Sequence, residues 1–185
     1  MGSYSVHGRF QVFHNGHLRY FEKAIAHCGS KGALFIVGIT QSQETLVSSS
    51  DHPRHRSILY NNPLTYEQRC DMIEQVLKNE LGLKPTEYTF CKFPIDDDFA
   101  RLSDYIELQT VMATGVCDEW NLLKIKKLTE HGYQNICVVE NLFNQERISG
   151  KVVRELIRKK DPKWHSLVPA SVKEYLYNTN LVDRL

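Results

Sequence analysis

Between His7 and Tyr20 the chain reads HGRFQVFHNGHLRY, which sets two imidazoles, His14 and His17, three residues apart. Gly8 and Gly16 flank the stretch and Arg9 lies just upstream. A short apolar segment precedes it and a helical pattern starting near Leu18 follows, so backbone N–H groups and a helix N-terminus meet there, and such a place favours an anion. Phosphate is the obvious candidate. His14 and His17, on either side of a turn at Asn15-Gly16, would aim both rings at one phosphate and donate hydrogen bonds as negative charge shifts during a displacement. Gly16 would permit the close approach.

A second stretch with its own chemistry comes late, RISGKVVREL from Arg147 to Leu156. Ser149 suits a helix N-cap, Gly150 would let a ligand approach the first turn, and Arg154 lies about one turn further along. Hydroxyl, backbone amides and guanidinium can thus converge on one polyphosphate.

These groups need a scaffold. Apolar, β-rich runs recur at YSVHG, Ala33 to Ile39, Glu87 to Phe93, Thr110 to Thr114 and Asn135 to Glu140, and they read as buried strands. Helical patterns alternate with them: Leu18 to Cys28, Tyr66 to Leu81, Phe99 to Leu108 and Glu119 to His131. Three of these are followed by Gly29, Gly82 and Gly132, which relieve left-handed strain past a helix end. Thr65 followed by Gln68 has the spacing of a capping box. Alternation of this kind implies right-handed crossovers and a doubly wound, Rossmann-like α/β fold: a parallel sheet of about five strands with helices on both faces. Two further helices, Gly150 to Lys159 and Ala170 to Tyr177, predict a C-terminal helical closure. In open parallel sheets ligands sit outside the carboxyl ends of the strands, where strand order reverses, and the first strand ends at the histidine stretch. The irregular run from Gln41 to Leu64 is long for a connection and is expected to border a site.

The 185 residues suit one domain. Basic and acidic residues number 23 and 22, a net charge of +1, which gives no electrostatic footprint for nucleic acid or a membrane surface. Five cysteines (Cys28, Cys70, Cys91, Cys117, Cys137) stand singly, so neither a disulfide framework nor a zinc knuckle is expected; they read as packing residues. A cytoplasmic protein acting on small molecules fits these observations, with no signal peptide or membrane span expected.

GRFQVFHNGH resembles the GRFQPxHxGH signature of the nucleotidylyltransferase superfamily, in particular the archaeal-type nicotinamide-nucleotide adenylyltransferases. NPLTYEQRCDMI (Asn62 to Ile73) resembles that family's NPFTxxER segment, RISGKVVREL its ISGTxxR signature, and WHSLVPASVKEYL its W-x-x-L-V-P ending. The likeness covers nearly the whole chain. It implies ATP as substrate, with Gly8, Phe10, Gln11, Gly16, Ser149 and Gly150 around the nucleotide and the adenosine near Gly115. It also implies catalytic roles for His14, His17, Arg9 and Arg154, and Mg²⁺ held mainly by the phosphates. The implied reaction is in-line attack of a phosphorylated acceptor, nicotinamide mononucleotide, on the α-phosphorus with loss of pyrophosphate, which asks for positioning and charge neutralisation and no protein nucleophile. The same site would serve another phosphorylated acceptor or CTP, and a non-catalytic nucleotide sensor is the third reading. A homo-oligomer is left open.

Three departures stand out. Val12 replaces the proline of GRFQP, and Lys151 replaces the threonine of ISGT, adding a cation. The tryptophan that stacks on nicotinamide is missing from its usual segment, where the chain reads DDDFARLSDYI; either Phe99 or Tyr105 substitutes, or the pocket holds a different group. Arg69 reads as an anion contact or a structural salt bridge. Asp98 reads as a helix cap, Trp120 and Trp164 as core, and Asp51 to Arg56 as a solvated loop. His7, His27, His131 and His165 read as core or surface histidines.

Overall fold

A computed structural model describes residues 2–41, 59–95, 99–143 and 145–185. The run Asp51 to Arg56, most of the Gln41 to Leu64 stretch, and Asp96 to Asp98 with its expected cap lie outside the described residues. The chain falls into two compact units, each assembled from three stretches. A sheet unit comprises Met1–Gly8, Arg19–Thr40 and Pro85–Arg147; a helical unit comprises Arg9–Leu18, Gln41–Lys84 and Ile148–Leu185.

The sheet unit is built on five parallel strands, β1 (Ser3–Gly8), β2 (Leu34–Ile39), β3 (Tyr88–Lys92), β4 (Val111–Val116) and β5 (Ile136–Asn141), in the order β3-β2-β1-β4-β5. This is the expected Rossmann-like arrangement, and the order reverses at β1, which pairs with both β2 and β4. On one side of the sheet Ile36, Phe93 and Met112 pack with Leu102, Ile106, Leu128 and Tyr133, and the Tyr133 hydroxyl donates to the Ile106 carbonyl at 2.7 Å. Leu128 comes from α3 (Glu119–Glu130), which Asp118 caps by accepting from the Asn121 amide and which gives way to Gly132 at φ 94°. Gly38 matters to this packing, because a Cβ there would lie 2.7 Å from the Phe93 ring. The pairing of β4 with β5 slips at Thr114/Gly115.

In the helical unit α2 (Tyr66–Asn79) opens with the expected capping box: the Gln68 amide donates to the Thr65 hydroxyl, and the Thr65 amide to the Gln68 side chain. It packs against α5 (Ala170–Asn178), whose Ser171 amide donates to the Glu80 carboxylate at 3.0 Å. Between α4 (Gly150–Arg158) and α5 a short turn buries Trp164 as expected.

Two elements differ from expectation. The first long helix, α1 (Asn15–Cys28), starts at Asn15 rather than Leu18. Asn15-Gly16 is therefore the first turn of a helix and not a free turn between the histidines. The helix expected over Phe99 to Leu108 is a 3₁₀ segment, Phe99–Asp104. No helix among the described residues is long and apolar enough to cross a membrane.

Candidate active site in the helical unit

The segment from Arg9 to Leu18 belongs to the same unit as α2 and α4, so most of the predicted groups can be compared directly. The rings of His14 and His17 stack with centroids 3.7 Å apart and an interplanar angle of 18°. The reason is local. The His14 carbonyl accepts from the amides of His17 and Leu18 and so starts α1, while the His17 Nδ1 accepts from the His14 amide at 3.3 Å. This is the backward half of a capping box, with an imidazole three residues into the helix in place of the usual glutamate or glutamine. It explains why the two histidines are spaced by three. A Cβ at Gly16 would lie 3.0 Å from His14 Nδ1, so the glycine makes room for the His14 ring, where its sequence context predicted room for a ligand.

Burial, then the neighbouring His14 and Arg9 charges, hold the His17 imidazole well below its ordinary value of 6.5. The ring is neutral at pH 7. Since its Nδ1 accepts a hydrogen bond, its proton sits on Nε2, which is a donor.

The residues before His14 are held from several directions. Phe10 adopts a left-handed backbone at φ 52°, a conformation that costs a residue with a side chain about 1–3 kcal/mol. Its buried ring packs edge-on against His17 at 5.0 Å and lies near Phe13. Gln11 both donates to the Leu64 carbonyl (2.8 Å) and accepts from the Leu64 amide (2.9 Å), so this side chain, expected at the nucleotide, braces the loop instead. Arg69 is 0% exposed and donates to the carbonyls of Thr65 (3.1 Å), Arg9 (2.9 Å) and Gln41 (2.8 Å). Its burial lowers its pKa to about 10, so it stays cationic, and its guanidinium is directed at backbone carbonyls, the structural one of the two roles its position suggested.

From the other end of the sequence, α4 approaches this loop closely. The Ser149 hydroxyl accepts from the Val152 amide at 3.3 Å, the predicted N-cap. A Cβ on Gly150 would overlap the Gln11 carbonyl oxygen and lie 3.2 Å from the Val12 nitrogen. The glycine that was expected to admit a ligand therefore admits the Gln11-Val12 peptide. Arg154 is buried and its Nη1 donates to the Gln11 carbonyl; its Nε has no hydrogen-bond partner among the described residues. Burial and the nearby Arg158 lower its pKa. Lys151 is exposed and faces Glu155 across a 3.8 Å ion pair. Asn15, which the sequence did not single out, fixes the turn from outside: its amide donates to Leu167 and its side chain to Ser166, both at 2.9 Å. Only the neighbouring His-Asn-Gly-His composition hinted at it.

The remaining candidates belong to the sheet unit. Gly8 ends β1, its carbonyl accepting from Thr40 at 3.0 Å. Gly115 lies at the β4 irregularity, where a Cβ would meet the Glu140 side chain at 3.3 Å; Glu140 in turn pairs with Arg19 and Lys23. Room for the Glu140 side chain accounts for this glycine. Phe99 and Tyr105 both pack against the apolar cluster, and Phe99 also lies 4.2 Å from the His131 ring, so neither is a bare stacking surface. Trp120 is half-buried under Lys127 and outside the deep core.

Among the described residues no group of three His, Cys, Asp or Glu could hold a metal ion. The donors around the stacked rings are imidazole, guanidinium, hydroxyl and amide, a set that suits phosphate oxygens.

The sequence profile of the cytidylyltransferase-like family matches residues 6–156, a span that contains both motifs. The chain belongs to that family. This bears out the reading of a nucleotidyltransferase. Among its relatives is the phosphonoformate cytidylyltransferase of Streptomyces viridochromogenes, 26% identical and matched over 100% of this chain and 95% of that protein. Another is the nicotinamide-nucleotide adenylyltransferase of Sulfurisphaera tokodaii, 29% identical over 96% of this chain and 92% of that protein. Among solved structures, the nicotinic acid mononucleotide adenylyltransferase of Plasmodium falciparum superposes with a TM-score of 0.52 at 12% identity, covering 100% and 99% of the two chains. At that identity it attests the cytidylyltransferase-like family's fold and nothing finer.

Proposed function

We propose that this member of the family transfers the adenylyl group of ATP to the phosphate of nicotinamide mononucleotide. An acceptor phosphate oxygen forms a bond to the α-phosphorus, the bond from that phosphorus to the bridging oxygen breaks, and pyrophosphate leaves with the electron pair. The acceptor is already anionic at neutral pH, so no general base is needed. His17 donates from Nε2 to the charge that builds on the phosphoryl oxygens, and the stacked His14 fixes its plane. Arg154, with one guanidinium edge held by the Gln11 carbonyl, offers the other to the polyphosphate, assisted by the Ser149 hydroxyl and the Arg9 charge. Mg²⁺ fits this set only as an ion carried by the phosphates, whose charge it would neutralise. The observation that carries the reading is the stacked imidazole pair on a loop that α4 approaches closely enough to require Gly150.

A second reading keeps the site but uses CTP and a different phosphorus acid, favoured by the full-length match to the phosphonoformate enzyme. Pyrophosphate release measured with ATP and CTP against nicotinamide mononucleotide, nicotinic acid mononucleotide and phosphonoformate separates the two. Turnover with ATP and a pyridine mononucleotide supports the first. Turnover with CTP and phosphonoformate alone replaces it, and nucleotide binding with no turnover anywhere points to a sensor.

A further inference from the structure

Where α2 and α5 pack together in the helical unit they leave a cavity of about 340 Å³, at the small end of the range for pockets that hold small molecules. Gln75 and Asn79 line it from α2, and Ser171, Glu174, Tyr175 and Asn178 from α5. The spacings explain the lining, because residues four apart share one face of α2 while positions 171, 174, 175 and 178 form one stripe along α5. All six side chains are polar, whereas a seam between packed helices is ordinarily closed by apolar ones. Glu174, Asn79 and Asn178 stand exposed at the rim, with Gln75 and Tyr175 half-buried and Ser171 deepest. Ser171 is 6% exposed and its hydroxyl has no hydrogen-bond partner among the described residues, although its amide is held by the Glu80 carboxylate at 3.0 Å. A buried hydroxyl without a partner is costly, and a guest that bonds to it removes that cost. Asn79 donates to the Gln75 side-chain carbonyl at 3.4 Å, which leaves acceptor capacity on Asn79 and donors on Gln75. The charge here has one sign. Glu174 is ionised at neutral pH, and no Lys, Arg or His lines the cavity among the described residues. Burial, then the Asp71 charge, raise the Tyr175 phenol above its ordinary value of 10, so it stays a neutral donor and acceptor. A phosphate finds no cation in this lining, which shares no residue with the histidine loop.

We propose that the cavity between α2 and α5 is a binding site of its own, which takes a small organic cation rich in hydroxyl groups, with the chemistry of an amino sugar. The ammonium pairs with the Glu174 carboxylate. The hydroxyls exchange hydrogen bonds with the amides of Gln75, Asn79 and Asn178 and with the Ser171 and Tyr175 hydroxyls, each of which both donates and accepts. This site goes beyond the transferase reading and does not depend on it. Because Glu174 is exposed to water, its charge adds about fivefold to the affinity, a gain that salt reduces. A small guest in a small, open cavity has a dissociation constant on the order of 1 mM.

The test titrates the nitrogen-15-labelled full chain with glucosamine, with glucose as its uncharged counterpart and with glucuronate as its anionic one. Glucosamine should shift the side-chain amide resonances of Gln75, Asn79 and Asn178 and the Ser171 amide, and saturate. It should bind about fivefold more tightly than glucose, a margin that shrinks in about 1 M salt, and glucuronate should not bind. Glu174→Gln keeps the shape and removes the charge, so it should bring glucosamine down to the affinity of glucose. Ser171→Ala should weaken both about threefold, and Asn178→Ala at the exposed rim should do the same if the buried variant folds poorly. ATP affinity should stay within about twofold in all three variants. No saturable shift by about 20 mM glucosamine, equal affinities for glucosamine and glucose, binding of glucuronate, shifts confined to other residues, or a preference that survives Glu174→Gln would each overturn the site. Pyrophosphate release run in parallel keeps the two readings apart: glucosamine binding as described without turnover of any nucleotide removes the proposed function and leaves this site standing.

Discussion

Two sets of histidines, one in each unit, show how differently the same side chain can be kept neutral. His17 is held by its own helix: its Nδ1 accepts from the His14 amide, its ring stacks on His14, and the charge of Arg9 is close. The His7 ring is held by a phenylalanine face, and neither of its nitrogens has a hydrogen-bond partner among the described residues. Both are pushed well below 6.5, chiefly by burial. The first arrangement fixes the direction of a donor, which is what a transition state requires. The second leaves both ring nitrogens unmatched inside the protein, against an aromatic face.

That contrast can be broken most forcefully at His17. His17→Ala should reduce kcat by about 10²–10³-fold with ATP, the usual loss for one transition-state donor, and leave the KM for ATP within about threefold; equal losses in both constants would reduce His17 to a binding residue. Gly150→Ala should come next. Its new Cβ overlaps the Gln11 carbonyl, so thermal melts should show about 1–3 kcal/mol of lost stability, although alanine is the better helix former, and turnover should fall because the histidine loop shifts. An unchanged melt would mean that α4 and the loop are further apart than described.

The pH dependence sharpens the comparison. Each histidine binds a proton more readily when unfolded than when folded, so stability conferred by the neutral ring is complete above 6.5 and is lost as pH falls below it towards the depressed folded values. With two such rings the slope approaches about 2.8 kcal/mol per pH unit, and His7→Leu should halve it by removing one proton. Denaturant midpoints between pH 6.5 and 5 give the measurement. The smallest effect is expected from that same variant at pH 7.5, where His7→Leu should leave stability unchanged or raise it by about 1 kcal/mol, since two unmatched nitrogens are replaced by an apolar side chain. A clear loss there would assign His7 a structural bond that the ring lacks here.

Much of the sheet was legible because parallel strands buried on both faces read as apolar runs: each of the five appears within two residues of its expected limits. The capping box at Thr65 and the N-cap at Ser149 were legible because these side chains act within their own turn. The start of α1 was not legible. Asn-Gly is a strong turn signal, and contacts that the sequence does not display convert it to helix: the His17 ring reaching back to the His14 amide, and Asn15 bonded to Ser166 and Leu167. The glycines misled for a related reason: Gly16, Gly115 and Gly150 do mark close approaches, but the approaching groups are His14, Glu140 and the Gln11 carbonyl, whose identity depends on packing between distant stretches. Arg69 and Gln11 carry motif positions yet support backbone, a distinction that spacing cannot make. His7 looked like any core histidine until its lack of partners could be seen.

The bracing of residues 9–11 by Arg69, Leu64 and Arg154 has a consequence for affinity. Ordering a floppy anion-binding loop around its guest normally subtracts from the binding free energy, residue by residue. Here that ordering is completed when the polypeptide folds, left-handed Phe10 included, so under the proposed function a nucleotide would meet a receptor already in its final shape and keep more of the attraction its phosphates generate.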